Sequence, residues 1–272
     1  MLPRLFPILL LAAACTPKSI ELGGGAPPDA RLYADVYTWE CEDSKTLELY
    51  EGVFAYQISL EYAPDGLADR DLPSSGCSAG LDIFPSDAGA NATDIPGGAA
   101  PGWTTGEMEG LLGHHAEGFY FDNVFDNSSS CQAAEDLLDE GTTLSDSGPF
   151  SGSSAPSPGE VSDVTLEGEV DEETGIPFGA ELTASWDASG WDKTWVQIRR
   201  EKDGALVESV TCAADDEVFT VDDDVWSLLS DALEVDVTNV YVAFEVDGSS
   251  TTADGQEILT ATRAMHVGVV QD

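Results

Sequence analysis

Residues 76–80 read GCSAG and fit the pattern G-x-S-x-G, the most suggestive chemical motif in the chain. Enzymes with this motif expose the serine on a sharp turn between a strand and a helix, and an acid and a histidine follow later. Here the next residues are LDIFPSDAG, in which apolar residues and a proline do not favour a helix start. We therefore interpret the motif as a turn entering a strand. A hydrolase with its site in the first half, near Ser78 or His114, is kept as an alternative.

The three histidines do not predict a metal site. His114 and His115 are adjacent, so on a strand their side chains point to opposite faces and do not share one ion. A solvated surface pair is the expected arrangement. His266 alternates with Met265 and Val267, which predicts the exposed face of the last strand.

Clusters of acidic residues raise the question of calcium, which takes several carboxylate and carbonyl oxygens. Three clusters are candidates, although none has the D-x-[DN]-x-[DN]-G spacing of an EF-hand loop. They are Asp65/Asp69/Asp71, Asp215/Asp216/Glu217 and Asp222/Asp223/Asp224. We therefore expect no cofactor and no metal ligands, and keep a calcium-dependent adhesin as a second alternative.

The overall charge excludes some classes of partner. The chain has 52 acidic and 10 basic residues, a net charge of −42. Such a surface repels phosphate backbones and anionic lipid headgroups, which argues against nucleic-acid binding. Attachment to a membrane would have to come from a lipid rather than from a basic patch.

The first fifteen residues have the pattern of an export signal. Arg4 supplies a basic start, and an apolar run from Leu5 to Leu11 is followed by three alanines and Cys15. The run is about half the ~20 residues that a transmembrane helix needs. Small residues ending at a cysteine resemble the lipobox of bacterial lipoproteins, although Ala12 stands where that family usually has Leu. The resemblance implies cleavage after Ala14 and lipidation of Cys15, with Thr16 implying outer-membrane sorting.

Four further cysteines, Cys41, Cys77, Cys131 and Cys212, are possible disulfide partners. An exported protein enters an oxidising compartment, and four cysteines allow three connectivities. Because three of them lie in the first half, either a bridge joins the two halves, or one pair forms in the first half and two thiols stay free.

Composition divides the chain into five parts. After the signal peptide (1–14), the lipidated cysteine and a flexible Gly- and Pro-rich tether cover 15–30. A β-rich domain is predicted over 31–144, a Ser/Gly/Pro linker over 145–160, and a β-sandwich over 161–272.

The last part gives the clearer pattern, with residues 180–187 and 240–247 alternating between apolar and polar. Seven short strands separated by turn signals such as Asp203-Gly204 predict a sandwich. A short helix follows an acidic cap at Asp222–Asp224. The run ELTASWDAS, with its tryptophan ending the second strand, resembles fibronectin type III and immunoglobulin-like modules, as does the sixth strand around Tyr241.

The first part is predicted to contain strands at 31–40, 53–62 and Phe119–Phe125. Ser129 and Gln132 form a capping-box pattern that predicts a short helix reaching Leu138. Residues 85–110 are rich in Gly, Ala, Pro and Asp and predict a long surface loop. The predicted fold class is thus mainly β: a seven-stranded sandwich plus a β-rich domain with one short helix.

The favoured function is a non-catalytic lipoprotein of the bacterial cell envelope that serves as a scaffold or binding module for a protein or glycan. The signal, the tether and the sandwich pattern favour it, and the sequence contains no P-loop, dinucleotide fingerprint, H-E-x-x-H or C-x-x-C motif.

Overall fold

The computed structural model describes most of the chain between residues 30 and 267. The described ranges are 30–42, 49–63, 72–83, 93–95, 100–105, 108–126, 132–133, 141–145, 150–168, 176–214, 216–251 and 257–267. The chain is mainly β, as predicted.

Nine strands come from the first part of the chain. They are β1 (Ala30–Glu42), β2 (Leu49–Tyr62), β3 (Cys77–Ala79), β4 (Gly102–Thr105), β5 (Met108–Leu111), β6 (Gly113–Ala116), β7 (Phe119–Asp126), β8 (Gln132–Ala133) and β9 (Thr143–Ser145). The three strands predicted here are confirmed as β1, β2 and β7.

The alternation at 180–187 and 240–247 correctly located two strands of the second half, whose described residues contain seven strands. They are β10 (Glu160–Gly168), β11 (Leu182–Ser189), β12 (Lys193–Lys202), β13 (Ala205–Ala213), β14 (Val218–Val221), β15 (Val237–Thr251) and β16 (Glu257–Val267). The helix α1 (Asp223–Trp226) is also where it was predicted, and the Asp222 carboxylate caps it by accepting from the backbone N–H groups of Asp224 and Val225.

Two predictions for the first part are wrong. Gln132 and Ala133 belong to β8, which pairs with Gly52 and Val53 of β2, instead of a helix; the remainder of that predicted helix lies outside the described residues. The predicted loop over 85–110 contains β4 and most of its partner β5, and the Trp103 side chain is only 2% exposed. β8 pairs with the distant β2, and β4 pairs with the distant β9 as well as with its neighbour β5, so strand pairing outweighs the local signal in both places.

One large sheet runs through both halves of the chain. Its strand order is β3-β13-β12-β15-β16-β1-β2-β7-β6, with β8 paired to β2 off this path. The join is the parallel pair β1–β16, in register from Arg31 opposite Leu259 to Thr38 opposite His266. The predicted boundary at 145–160 therefore does not separate two sheets.

Two three-stranded sheets pack on the same face of the large sheet. Sheet β5-β4-β9 shares a core with β1, β2 and β7, and sheet β10-β11-β14 shares a second core with β12, β13 and β15. Ile258 of β16 joins the first core and Ala264 the second, and their even spacing places both on one face.

Residues 150–159, within the predicted linker, connect the two small sheets and pack against the large one. Phe150 and Ser153 are fully buried and Ala155 is 3% exposed. The Thr262 hydroxyl of β16 donates to the carbonyl of Pro156, at a distance of 2.5 Å. This segment is therefore part of the packed structure.

The opposite face of the large sheet is covered by residues 80–83, which follow the edge strand β3. The Leu81 carbonyl accepts hydrogen bonds from Gln197, Ser209 and Thr211. Two residues later, Ile83 packs with Trp195, Ala243 and Met265. We call residues 80–83 the crossing segment, because they run from the sheet edge towards its centre.

A buried ion pair lies where the crossing segment meets the β1–β16 join. Arg263 donates to both carboxylate oxygens of Asp35, at 2.7 and 2.6 Å, and its third bond goes to the Ile83 carbonyl at 2.7 Å. Both side chains are 3% exposed. Burial by itself lowers the pKa of Arg263, but the charge of Asp35 and its hydrogen bonds outweigh this and raise it. The pair thus links both halves of the chain and the crossing segment.

Candidate functional site

A half-open cleft lies beside the β11–β12 turn. Its volume is about 430 Å³, within the range of small-molecule and side-chain pockets. Three stretches of chain build it: the end of β11 with the following turn, the start of β12, and the loop after β13. The lining residues are Trp186, Ala188, Trp191, Thr194, Ala214, Asp216 and Glu217.

Trp191 is held in place by its neighbours on three sides. Its indole Nε1 donates to the Glu160 carbonyl at 2.9 Å, and its ring lies 5.8 Å from the ring of Phe244. A Cβ added to Gly159 would come within 2.8 Å of the indole, so only glycine leaves room for it there. The indole is therefore pre-positioned.

Trp186 forms the deeper wall and also fixes the acidic loop. It is 6% exposed and meets Phe244 edge-to-face at 5.9 Å. Its backbone N–H donates to the Glu217 carbonyl at 3.0 Å, and the Ala214 N–H donates to the Thr194 carbonyl at 2.9 Å. Backbone hydrogen bonds therefore fix Glu217 against Trp186 and Ala214 against Thr194.

The cleft is negatively charged. Asp216 and Glu217 are exposed, and they are the ionisable residues of its described lining. All six basic residues in the described part of the chain are already in ion pairs. These are Arg31 with Glu61, Lys193 with Glu245 and Asp247, Arg199 with Asp82 and Glu201, Arg200 with Glu208, Lys202 with Glu234, and Arg263 with Asp35.

The lining offers one hydroxyl, at Thr194, two carboxylates and two indoles. Carboxylates accept hydrogen bonds from donors and attract cations, and indole faces attract cations and apolar groups. The described lining contains no serine, cysteine, histidine or lysine that could act as a nucleophile or as a base with a neutral pKa.

Ser78 and His114 are far apart. Ser78 is opposite Thr211 in β3, at one edge of the large sheet, whereas His114 is in β6 at the other edge. The strand order puts eight inter-strand steps between them, and at ~4.8 Å a step this is roughly 38 Å along a flat sheet. They do not form a catalytic pair in this arrangement.

The histidine pair lies at the surface, as predicted, and the two rings contact different neighbouring residues. His114 contacts the Asp94 carboxylate at 2.8 Å and the Tyr120 ring, whereas His115 contacts Phe119 and Phe121. The pKa of Asp94 is held below its usual value, mainly by the hydrogen bond from the Gly118 backbone N–H and secondly by the hydrogen bond with His114.

His266 corrects a prediction. It was expected on an exposed strand face but is 6% exposed. Because β16 lies inside the large sheet and both of its faces are covered, alternation along it does not separate buried from exposed residues.

Within the described part of the chain, no group of three or more His, Cys, Asp or Glu residues could hold a metal ion. Asp222 is used as the cap of α1, and Asp223 and Asp224 are exposed. Asp65, Asp69, Asp71 and Asp215 lie outside the described residues. Asp216 and Glu217 of the second predicted cluster line the cleft.

The cysteines give one bridge between the two halves. Cys77 of β3 is disulfide-bonded to Cys212 of β13, across a sequence separation of 135 residues. This agrees with the first of the two arrangements that we predicted. Cys15, Cys131 and the side chain of Cys41 lie outside the described residues.

The cleft itself was not predicted from the sequence. Trp186 was noted for its place at the end of a strand, and Asp216 and Glu217 as calcium candidates. The available signal was the pair of tryptophans five positions apart around Gly190, whose φ of +79° marks a tight turn. Nothing in the sequence indicated that the loop after β13 would lie against this turn.

Among the described residues, no helix combines the length and the apolar character needed to cross a bilayer. Comparisons of the chain with protein-family models, curated proteins and solved structures found no match.

Proposed function

We propose that this chain is a non-catalytic, lipid-anchored protein of the bacterial cell envelope that binds a partner through its C-terminal β-sandwich. In this proposal Cys15 carries the lipid after cleavage of residues 1–14, and the outer membrane is the destination. The large sheet and the two small sheets form the body that presents the cleft.

The order of the seven last strands is the observation that carries the proposal. Strands β10-β11-β14 form one sheet, while β13-β12-β15-β16 lie side by side in the other, and the two share one core. The three-stranded and four-stranded sheets, and the order in which the chain passes between them, resemble the fibronectin type III arrangement. Sandwiches of that kind serve widely as binding modules that present loops at their ends.

The position of the cleft supports a binding role. It lies beside loops of this sandwich, where loops held on a rigid sheet commonly carry function. Its walls are set by backbone hydrogen bonds and ring contacts, so little ordering would be required when a partner enters.

The sequence before β1 supports the anchor. The lipobox-like run ends at Cys15, and the first strand begins at Ala30. The net charge of −42 opposes direct adsorption to anionic lipid, so a covalent lipid is the attachment that fits this surface.

Metabolic labelling tests the anchor. The full chain is expressed in a Gram-negative host with an alkyne-tagged fatty acid, beside the Cys15→Ser variant and a Thr16→Ser control. We expect labelling and membrane fractionation of the wild type and the control, with loss of both in Cys15→Ser. Equal labelling of all three, or an N-terminus that keeps residues 1–14, refutes the anchor.

A panel of hydrolase substrates tests the non-catalytic part of the proposal. We expect no turnover above the buffer rate. Turnover that Ser78→Ala abolishes would establish the hydrolase alternative in its place.

A further inference from the structure

The exposed lining of the cleft is mostly polar and negatively charged, with two tryptophans beside the carboxylates, and this combination selects a class of ligand. We propose that it binds an alkylammonium group, with the indole of Trp191 and the carboxylates of Asp216 and Glu217 as its contacts. This inference deepens the proposed binding role and rests on it.

The negative charge of the lining favours cations over anions as ligands. The cleft has two exposed carboxylates and no basic residue in its described lining, and the nearest lysine in sequence, Lys193, is engaged with Glu245 and Asp247 on the other side of β12. Phosphates, uronic acids and other anions would approach uncompensated negative charge. A cation gains from both carboxylates and from the acidic surface around them.

The tryptophans in the lining favour an organic ammonium ion over a divalent metal ion. Divalent metals require several oxygen ligands in a closed shell, whereas this lining offers two carboxylates beside indole rings. An organic ammonium places its N–H groups on carboxylate oxygens and its methylenes against an indole, and the cation itself is attracted to the ring.

The size of the cleft suits a short alkyl chain rather than the surface of a folded protein. A volume of about 430 Å³ is near the lower end for ligand pockets. It accommodates the end of a short alkyl chain bearing an ammonium group. That group has two natural sources, a free small amine and a lysine side chain of a partner protein, and the experiment below separates them.

The rigidity of Trp191 makes the proposal measurable. The chain has six tryptophans, so a ¹⁵N-Trp-labelled sample gives six indole N–H signals in an NMR spectrum. A Trp191→Phe sample identifies the signal of interest by its loss. Titration with n-butylammonium is expected to shift that signal along a saturating curve with a millimolar midpoint, whereas the neutral isostere n-butanol leaves it in place.

Two double variants separate a specific site from diffuse attraction. Asp216→Asn/Glu217→Gln removes both cleft charges, and we expect roughly fivefold weaker binding. Glu181→Gln/Asp231→Asn is the matched control, since it removes two exposed carboxylates that do not line the cleft. The control should change the affinity by less than about twofold. All four side chains are exposed, so the fold should tolerate both variants.

Three results overturn the proposal: no shift of the Trp191 signal up to roughly 50 mM amine, an equal shift with n-butanol, or equal weakening by the two double variants. If binding is specific, a blocked lysine peptide and its acetyl-lysine counterpart identify the source. Tighter binding of the lysine peptide than of n-butylammonium identifies a protein partner, and the reverse identifies a free amine. A negative titration leaves the lipid-labelling result unaffected, so failure of this inference is distinguishable from failure of the anchor.

Discussion

At the scale of residues, the large sheet is held together by charge as well as by apolar packing. Arg263 of β16 and Asp35 of β1 sit in the covered face of the sheet, 228 positions apart in sequence. Buried pairs of this kind add little net stability compared with apolar residues, but loss of one partner is costly because the other is left charged and buried.

Replacing Asp35 should therefore destabilise the protein strongly. We expect Asp35→Leu to lower the free energy of unfolding by about 3–5 kcal/mol, measured by urea denaturation, and Asp35→Leu/Arg263→Met to recover much of the loss. In the exposed pair Lys202–Glu234, Glu234→Gln is the control and should cost less than about 1 kcal/mol. If Asp35→Leu costs no more than the control, the pair is not buried as described.

Glu245 gives a pH prediction with a definite sign. Burial raises its pKa, and this outweighs the opposing charges of Arg263 and Lys193. For a carboxyl whose folded-state pKa is raised, the stabilising contribution is present below the unfolded pKa and is lost as the pH rises through the folded pKa. Ionisation of Glu245 is therefore less favourable in the folded than in the unfolded state, although Arg263 and Lys193 stabilise the ionised form.

Thermal unfolding of Glu245→Gln at pH 4 and at pH 8 tests this sign. Because the variant has no carboxyl to ionise, its Tm relative to the wild type should increase between the two values. Glu181→Gln, at an exposed position, should show no such trend. A relative Tm that falls with pH would mean that the pKa is lowered instead.

At the scale of elements, the sequence predicted strands well and their partners poorly. Alternation at 180–187 and 240–247 located β11 and β15, because each has one face that packs on a core, and the Asp222 cap located α1. The parallel join of β1 to β16 had no local signal, since the paired residues are more than 200 positions apart. Gln132 and His266 were misjudged for the same reason: their environment is set by strands from elsewhere in the chain.

The candidate site was predictable only in fragments. The tryptophans and the acidic pair were visible as residue types, but the hydrogen bond from Trp186 to Glu217 joins β11 to a loop that follows two further strands. Shape in such a cleft arises from tertiary packing, which the pattern of a single strand does not encode.

The edge strand β3 depends on its disulfide. It is three residues long and pairs with β13 alone, and the crossing segment that follows relies on this attachment. Cys77→Ala/Cys212→Ala should lower the free energy of unfolding by about 2–5 kcal/mol, since the bridge closes a long loop. Protease cleavage within 72–83 should also become faster.

Denaturation of the oxidised and reduced wild type provides the control, because the reduced protein should resemble the double variant. Peptide mapping that links Cys77 to Cys41 or Cys131 would contradict the assignment. So would unchanged stability after replacement of both cysteines.

At the scale of the whole molecule, the surface charge opposes compaction, whereas the connections between the two halves favour it. The six described cations are used in ion pairs, so the excess of carboxylates remains on the surface, where self-repulsion opposes compaction. Against this, one sheet and one disulfide tie the two halves together. The cleft thus lies on a body whose large sheet contains strands from both halves of the chain.

Differential scanning calorimetry of the chain from residue 16 onwards tests this connectivity most directly. We predict a single transition whose calorimetric and van't Hoff enthalpies agree, because unfolding either half breaks the β1–β16 join and exposes the Arg263–Asp35 pair. Two separate transitions, with one of them reproduced by the isolated fragment 160–272, would contradict the shared sheet and the account built on it.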